Sequence, residues 1–379
     1  MHTTKAKLPS DAPPQLKNKY SCCFANALFQ NMFASDSIRI AILDSFDSRS
    51  TPCAVYSVFQ KTLAKMEVNC KAPRVIEPDW VLILLRHFDN GTTAEDYEFG
   101  RHSDPLELFS FVLRHIMESG HPVYAFLMEM FSASKIIRHC MCTCMKTPIA
   151  ITKEWNHSQP YLALNHHTLD GCTVFDCLVN RMGTKHRNRL STDTHTPNCA
   201  ETIVEQKDWL ENLSGRREKV LVIMMHPYLE DHSTKVPQEK LARPVITMDL
   251  TNFFETSQEG SKVTAELSGY ISFKTLKTTD IDGVPHFVSI TKSRNGDSFY
   301  LSDDILPEDP KELGCYVNDD WLAPIILFYT IKHQSLKGWG DLVHDECGNN
   351  NGIKGGKLTK RKRSQEKYKV ERTNVDYNE

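Results

Sequence analysis

The sequence predicts an α+β fold, and the expectation rests on a change of pattern along the chain. From Cys23 to about Ser119 apolar residues recur roughly one helical turn apart; from Ser132 onward they gather into short strand-like runs separated by polar segments. The 379 residues supply enough material for a buried core in one large domain or two ordinary ones, so size alone demands neither disulfides nor metals.

The elements follow in order. Residues 1–14 are polar and proline-containing, a loose N-terminal arm. Phe24, Leu28 and Phe29 mark an amphipathic helix over Cys23 to Ala34. Helical stretches follow at Val55 to Val68, Asp79 to His87 and Asp104 to Ser119, the last with Asp104 as cap and Pro105 at the first position. Strand-like runs are KIIRHCMCTC, PYLALNH, KVLVIMMHPY, RPVITMDL, AELSGYISF, HFVSITKS, SFYLSDD and PIILFYTIK, interrupted by a short helix at TVFDCLVNRM. Residues 333–379 turn Gly- and Asn-rich and then basic, a composition expected of a disordered tail. The expected organisation is therefore an arm over 1–14, one folded domain over 15–332 (helical part about 15–131, β part about 132–332) and the tail.

Composition excludes several classes of function. A net charge of -3 provides no global field for nucleic acid or membrane. No apolar run reaches bilayer length, and MHTTKAKLPSDAPPQ lacks the apolar core of a secretory signal, so an intracellular protein, in cytoplasm or nucleus, is expected. Twelve irregularly spaced cysteines in such a chain read as reduced thiols.

A reactive thiol is therefore worth seeking, and NKYSCCFANALFQNMF offers two in front of a helix. Cysteine attacks as its thiolate, which the unpaired N–H groups and dipole of a helix N-terminus stabilise. Cys22 and Cys23 both qualify by position, and a free cysteine is equally a small hydrophobe suited to a core.

The stretch resembles the Cys box of the ubiquitin-specific proteases, approximately NxGNTCYxNSxLQ. Aligned on Asn26 and Gln30, the resemblance puts the nucleophile at Cys23, with Phe24 as the following aromatic, Cys22 where the family carries Thr, and Asn18 where it carries the side-chain donor of the oxyanion hole. Tyr20-Ser21 departs from the family's Gly. RHSDPLELFSFVLRHI is similar to the family's QQDAxEFLxxLL segment through Asp104, Glu107 and Leu108. GVPHFVSITKSRNGDSFYLSDDI resembles the His box GHYxxYxxxxxxxWYxFDDxxV, which gives His286 the general base and Asp303 the third catalytic member; WLAPIILFY resembles the closing strand SAYILFY. Departures are VPH for GGH and Ser302 for an aromatic.

Spacing nominates Asp303 independently. Asn295-Gly296 is a strong hairpin signal. With these as the two loop residues, Arg294 faces Asp297 and, further down the ladder, Val288 faces Asp303. His286 shares the face of Val288, making Asp303 its diagonal neighbour, while Asp304 points to the other face and cannot form a carboxylate pair with it.

The resemblance implies a papain-like cysteine peptidase with helical thumb, β palm and β fingers. It hydrolyses isopeptide or peptide bonds after the C-terminal glycine of ubiquitin and needs no cofactor. In that scheme Cys23 attacks, His286 moves the proton, Asp303 holds the imidazole tautomer and Asn18 with backbone N–H groups stabilises the oxyanion. The alternatives are a ubiquitin-binding scaffold with weak or no turnover and a protease for another ubiquitin-like modifier.

The family commonly carries a zinc ribbon in its fingers, built from two CxxC pairs. Here Cys140, Cys142 and Cys144 alternate beside His139, but only Cys199, with His195 upstream, falls in the second position and no CxxC exists. A degenerate ribbon without metal is the expectation. Asn165-His166-His167 reads as a strand-end turn rather than a ligand set. KLTKRKR, Lys357 to Arg363, has the composition of a nuclear import signal or nucleic-acid contact and equally that of a solvated tail.

Overall fold

A computed structural model of the chain describes residues 14–18, 22–44, 53–69, 75–81, 83–85, 104–131, 136–142, 148–154, 161–166, 171–183, 185–188, 203–210, 218–226, 241–254, 261–277, 282–296, 298–302, 311–314 and 323–335. Of these, 136–142, 148–154, 185–188, 203–209, 261, 274–277, 282–285, 311, 314, 334 and 335 are described by backbone alone. All belong to one compact unit, Met1–Leu336.

Five helices lead: α1 (Cys23–Ala34), α2 (Asp36–Asp44), α3 (Ala54–Asn69), α4 (Pro105–Glu118) and α5 (Val123–Met130). α1 begins and ends at the residues its periodicity predicts. It is buried from Cys23 through Phe33, as a helix apolar nearly all round must be. α4 starts as predicted: Asp104 accepts from the Leu106 N–H at 2.8 Å and Pro105 occupies the first turn, where no amide hydrogen is needed. Residues 79–81 and 83–85 are helical too, within the predicted Asp79 to His87 stretch. A sixth helix, α6 (Val174–Met182), opens with a reciprocal capping box between Thr173 and Asp176.

β1 (Gln15–Leu16) and β2 (Val75–Ile76) pair in parallel beside the helices. The main sheet has eight strands: β5 (Leu162–Leu164), β8 (Lys219–Met225), β9 (Thr247–Asp249), β10 (Ser261–Lys277), β11 (Asp282–Lys292), β12 (Phe299–Ser302), β13 (Lys311–Gly314) and β14 (Pro324–Ser335). Their order is β13-β12-β11-β10-β14-β8-β5, with β9 on β10. A second sheet, β4-β3-β7-β6, joins β3 (Ile136–Cys142), β4 (Pro148–Glu154), β6 (Lys185–Asn188) and β7 (Ile203–Leu210).

The main sheet is buried on both faces, which is why β8 and β14 read as nearly unbroken apolar runs. Val220, Val222, Ile271, Ile326 and Phe328 join the core of α1–α5, whereas Leu221, Ile223, Tyr270, Leu327 and Tyr329 join a second core that includes α6. α1 lies against β10 and β11 and also touches α2, α3 and α4, so the helix that opens at Cys23, with Cys22 as its cap, is central to the first core.

Candidate active site

The chain is held tightly just before α1. Lys17 extends the β1–β2 pairing through its N–H to Ile76 O at 3.0 Å. The single Cys22 S–H has two acceptors within reach, Asn18 Oδ1 at 3.7 Å and Lys17 O at 3.9 Å, and Asn26 Nδ2 donates to Lys17 O at 3.2 Å. Cys22 caps the helix without a side-chain cap bond, and its carbonyl accepts the Asn26 N–H at 2.9 Å. Cys23 is thus the first residue inside α1, where the helix dipole favours an anion, and no acidic residue of the first turn opposes it. Both sulfurs are buried and free of disulfides. The structure therefore brings Asn18 directly to Cys22, a contact to which the sequence reading gave no role.

His286 lies on β11, 1% exposed and opposite Lys274 of β10. α1 meets this strand through Asn31, whose Nδ2 donates to Ser289 Oγ at 3.0 Å and Tyr270 O at 3.3 Å. The Arg294 guanidinium at the far end of the hairpin lies 5.5 Å from the ring of Phe33. These contacts give α1 and β11 the same sense. From Asn31 back to Cys23 the helix spans about 12 Å, the length of three to four strand residues counted back from Ser289. That is the level of His286.

Alternation adds a constraint. Ser289 faces α1 and Phe287 packs on the α1 core, whereas Val288 and Ile290 belong to the second core. His286 leaves the strand on the Val288 side.

The hairpin keeps the predicted register from Lys292–Phe299 to Ser289–Ser302, but its turn is centred on Arg294-Asn295 rather than on the expected two-residue Asn295-Gly296 loop. The Ser293 N–H donates to Ser298 O at 2.7 Å, the Gly296 N–H donates to Ser293 O at 3.0 Å, and Gly296 has φ 80°, the left-handed conformation that glycine adopts without strain. Asp297, Asp303 and Asp304 lie outside the described residues, and so does the expected Val288–Asp303 pairing.

Among the described residues no group of three or more His, Cys, Asp or Glu side chains converges as a metal site would require. Cys140 and Cys142 are on β3, described by backbone alone; Cys144, His195, Cys199 and the tail with KLTKRKR fall outside the described residues. His166 has a structural task at the end of β5, its Nδ1 accepting the Ala242 N–H at 2.9 Å. Among the described residues no helix is long and apolar enough to cross a membrane.

The chain matches no family model and no curated sequence. It is similar in structure to the SAGA DUB module containing Ubp8 bound to monoubiquitin, at TM-score 0.61 and 14% identity, over 87% of this chain and 72% of that one. The same module bound to ubiquitin aldehyde gives 0.59 at 13% identity over 87% and 72%, and the yeast SAGA DUB module with a mutated subunit gives 0.59 at 14% over 87% and 71%. The fold is accordingly α+β and papain-like, as expected from the sequence.

Proposed function

We propose that the chain is a thiol-dependent hydrolase of the ubiquitin-specific protease type that cleaves isopeptide or peptide bonds at the C-terminal glycine of ubiquitin. What carries the reading is the seating of a cysteine-led helix on the histidine-bearing strand, at matching levels, in a fold similar to structures solved with ubiquitin. In this reading the Cys23 thiolate attacks the glycine carbonyl while His286 keeps the thiol proton. His286 then protonates the departing amine, and water hydrolyses the thioester. Asp303 orients the imidazole. Asn18 and N–H groups at the head of α1 hold the oxyanion. Ubiquitin and its conjugates are the partners, and no cofactor takes part. The site of action is the cytoplasm or nucleus, and contact with nucleic acid is confined to the basic tail.

A second reading, a ubiquitin-binding scaffold with little turnover, is favoured by the departures from the family pattern at Val284-Pro285, just before His286, and at Ser302. Hydrolysis of ubiquitin carrying a fluorogenic C-terminal amide, beside the SUMO and Nedd8 equivalents, separates the readings. The enzyme releases fluorophore from ubiquitin, and Cys23→Ala stops release while ubiquitin binding persists. A folded protein that binds ubiquitin and releases nothing is the scaffold. Release from SUMO or Nedd8 alone assigns a different modifier.

A further inference from the structure

We propose that Asn31 is a positioning residue, a clasp between α1 and the β10–β11 pair that fixes the level of Cys23 against His286. The inference rests on the thiol-hydrolase reading above. Asn31 is fully buried, in a helix whose other buried residues are mostly apolar. Its amide nitrogen has two hydrogens and three acceptors within reach: Ala27 O at 2.9 Å in its own helix, Ser289 Oγ at 3.0 Å on β11 and Tyr270 O at 3.3 Å on β10.

A buried amide is costly unless it is matched; Ala27 O takes one hydrogen and Oδ1 has no partner among the described residues, so the second hydrogen, shared between Ser289 Oγ and Tyr270 O, selects the register of helix on sheet. Sliding α1 by one residue moves it about 1.5 Å, enough to break bonds of this length. The approach is also sterically tuned. Gly269 lies beneath the amide, and a Cβ there would stand 2.5 Å from Asn31 Oδ1 and 2.7 Å from Ile290 O. Three elements therefore close on one side chain. It sits two turns below Cys23 on α1 and three residues beyond His286 on β11 through Ser289. A nucleophile and base displaced by 1 Å lose about a hundredfold in rate, so a clasp between their two elements governs their alignment although it touches neither.

The test uses the full chain and a small probe that needs no ubiquitin: the rate at which chloroacetamide alkylates Cys23, located by peptide mass spectrometry, as a function of pH. Ser289→Thr and Ser289→Val have the same shape and differ only in the hydroxyl, and Asn31→Leu removes the amide. In the wild type, His286→Ala should move the alkylation profile to higher pH. Ser289→Val and Asn31→Leu should move it the same way, slowing Cys23 alkylation at neutral pH by about tenfold or more, and Ser289→Thr should track the wild type. Where Asn31→Leu does not fold, the Thr and Val pair decides. Variants that melt earlier yet keep the wild-type profile would make Asn31 purely structural and overturn the proposal, as would a wild-type profile indifferent to His286→Ala. The expected profiles in a protein that leaves every ubiquitin amide intact would keep the clasp and remove the ubiquitin reading instead.

Discussion

Gly269 and Asn31 approach so closely that no side chain fits between them: a Cβ on Gly269 would lie 2.5 Å from Asn31 Oδ1, 2.7 Å from Ile290 O and 3.2 Å from Thr291 Cα. Two of those neighbours are backbone atoms of β11 and cannot swing aside. The position needs glycine for space rather than for an unusual φ, because β10 is extended there and its pairing with β14 shifts register between Leu267 and Gly269. Gly269→Ala should lower unfolding stability by about 1–3 kcal/mol, read from urea melts. An alanine variant within about 0.5 kcal/mol of the wild type would contradict the close packing of α1 on β10.

Asp104 caps α4 with a side chain that reaches solvent yet is crowded by the surrounding protein. Burial raises its pKa above the ordinary carboxylate value, the bond from the Leu106 N–H opposes that rise, and the neighbouring Glu107 carboxylate adds to it. A carboxyl whose folded value lies above its unfolded one binds its proton more tightly in the native state. Stability is therefore fully present below the unfolded value and declines as pH rises through the folded one. Asp104→Asn keeps an acceptor for Leu106 without the charge. It should be at least as stable as the wild type at pH 7 and lose this decline. Asp104→Ala should fall about 1 kcal/mol below Asp104→Asn. Thermal melts from pH 3 to pH 7, roughly the carboxylate range, check both.

His166 should make the fold acid-sensitive. Burial, with a smaller contribution from the neighbouring His226, lowers its pKa to about 4, and its neutral Nδ1 is the acceptor for the Ala242 N–H. A histidine whose folded value lies below its unfolded one contributes stability above the unfolded value and loses it as pH falls toward the folded one. The loss spans pH 6.5 down to about 4 and is on the order of 3 kcal/mol. His166→Asn places an amide oxygen where Nδ1 stood and should flatten the dependence. An unchanged acid limb in that variant would show that other groups drive it.

Much of the fold is legible because its elements are long and regularly patterned. α1, α3, α4 and α6 announce themselves through apolar spacing and caps, and β8 and β14 through apolar runs that only a sheet buried on both faces tolerates. α2 and α5 leave little trace in the sequence. In α2 the buried set is only Ile38, Ala41 and Ile42, less than two turns of signal, and α5 is short and apolar, which periodicity cannot distinguish from a strand. β1, β2, β4, β6, β7 and β13 are faint in the sequence as well. KHRN and KELG are polar and brief, so their pairing partners define them more than their side chains do. β10 runs well beyond AELSGYISF at both ends because its neighbours on either side extend it.

At the candidate site the hairpin register was readable from Asn295-Gly296 and the spacing around it. Asn31 carried a faint signal, one of three amides, with Asn26 and Gln30, in an otherwise largely apolar helix. Nothing local announces that its partners lie more than two hundred residues away at Tyr270 and Ser289. The bond from Cys22 to Asn18 was equally hidden, because a thiol reads as a hydrophobe until its acceptor is known.

The most direct measurement of the central claim is incubation of the folded chain with ubiquitin bearing a C-terminal electrophile, followed by mapping of the modified residue. A covalent adduct on Cys23 is expected, lost in Cys23→Ala, kept in Cys22→Ala and much slowed in His286→Ala. An adduct on Cys22, or none on a protein that is demonstrably folded, would contradict the pairing of Cys23 with His286.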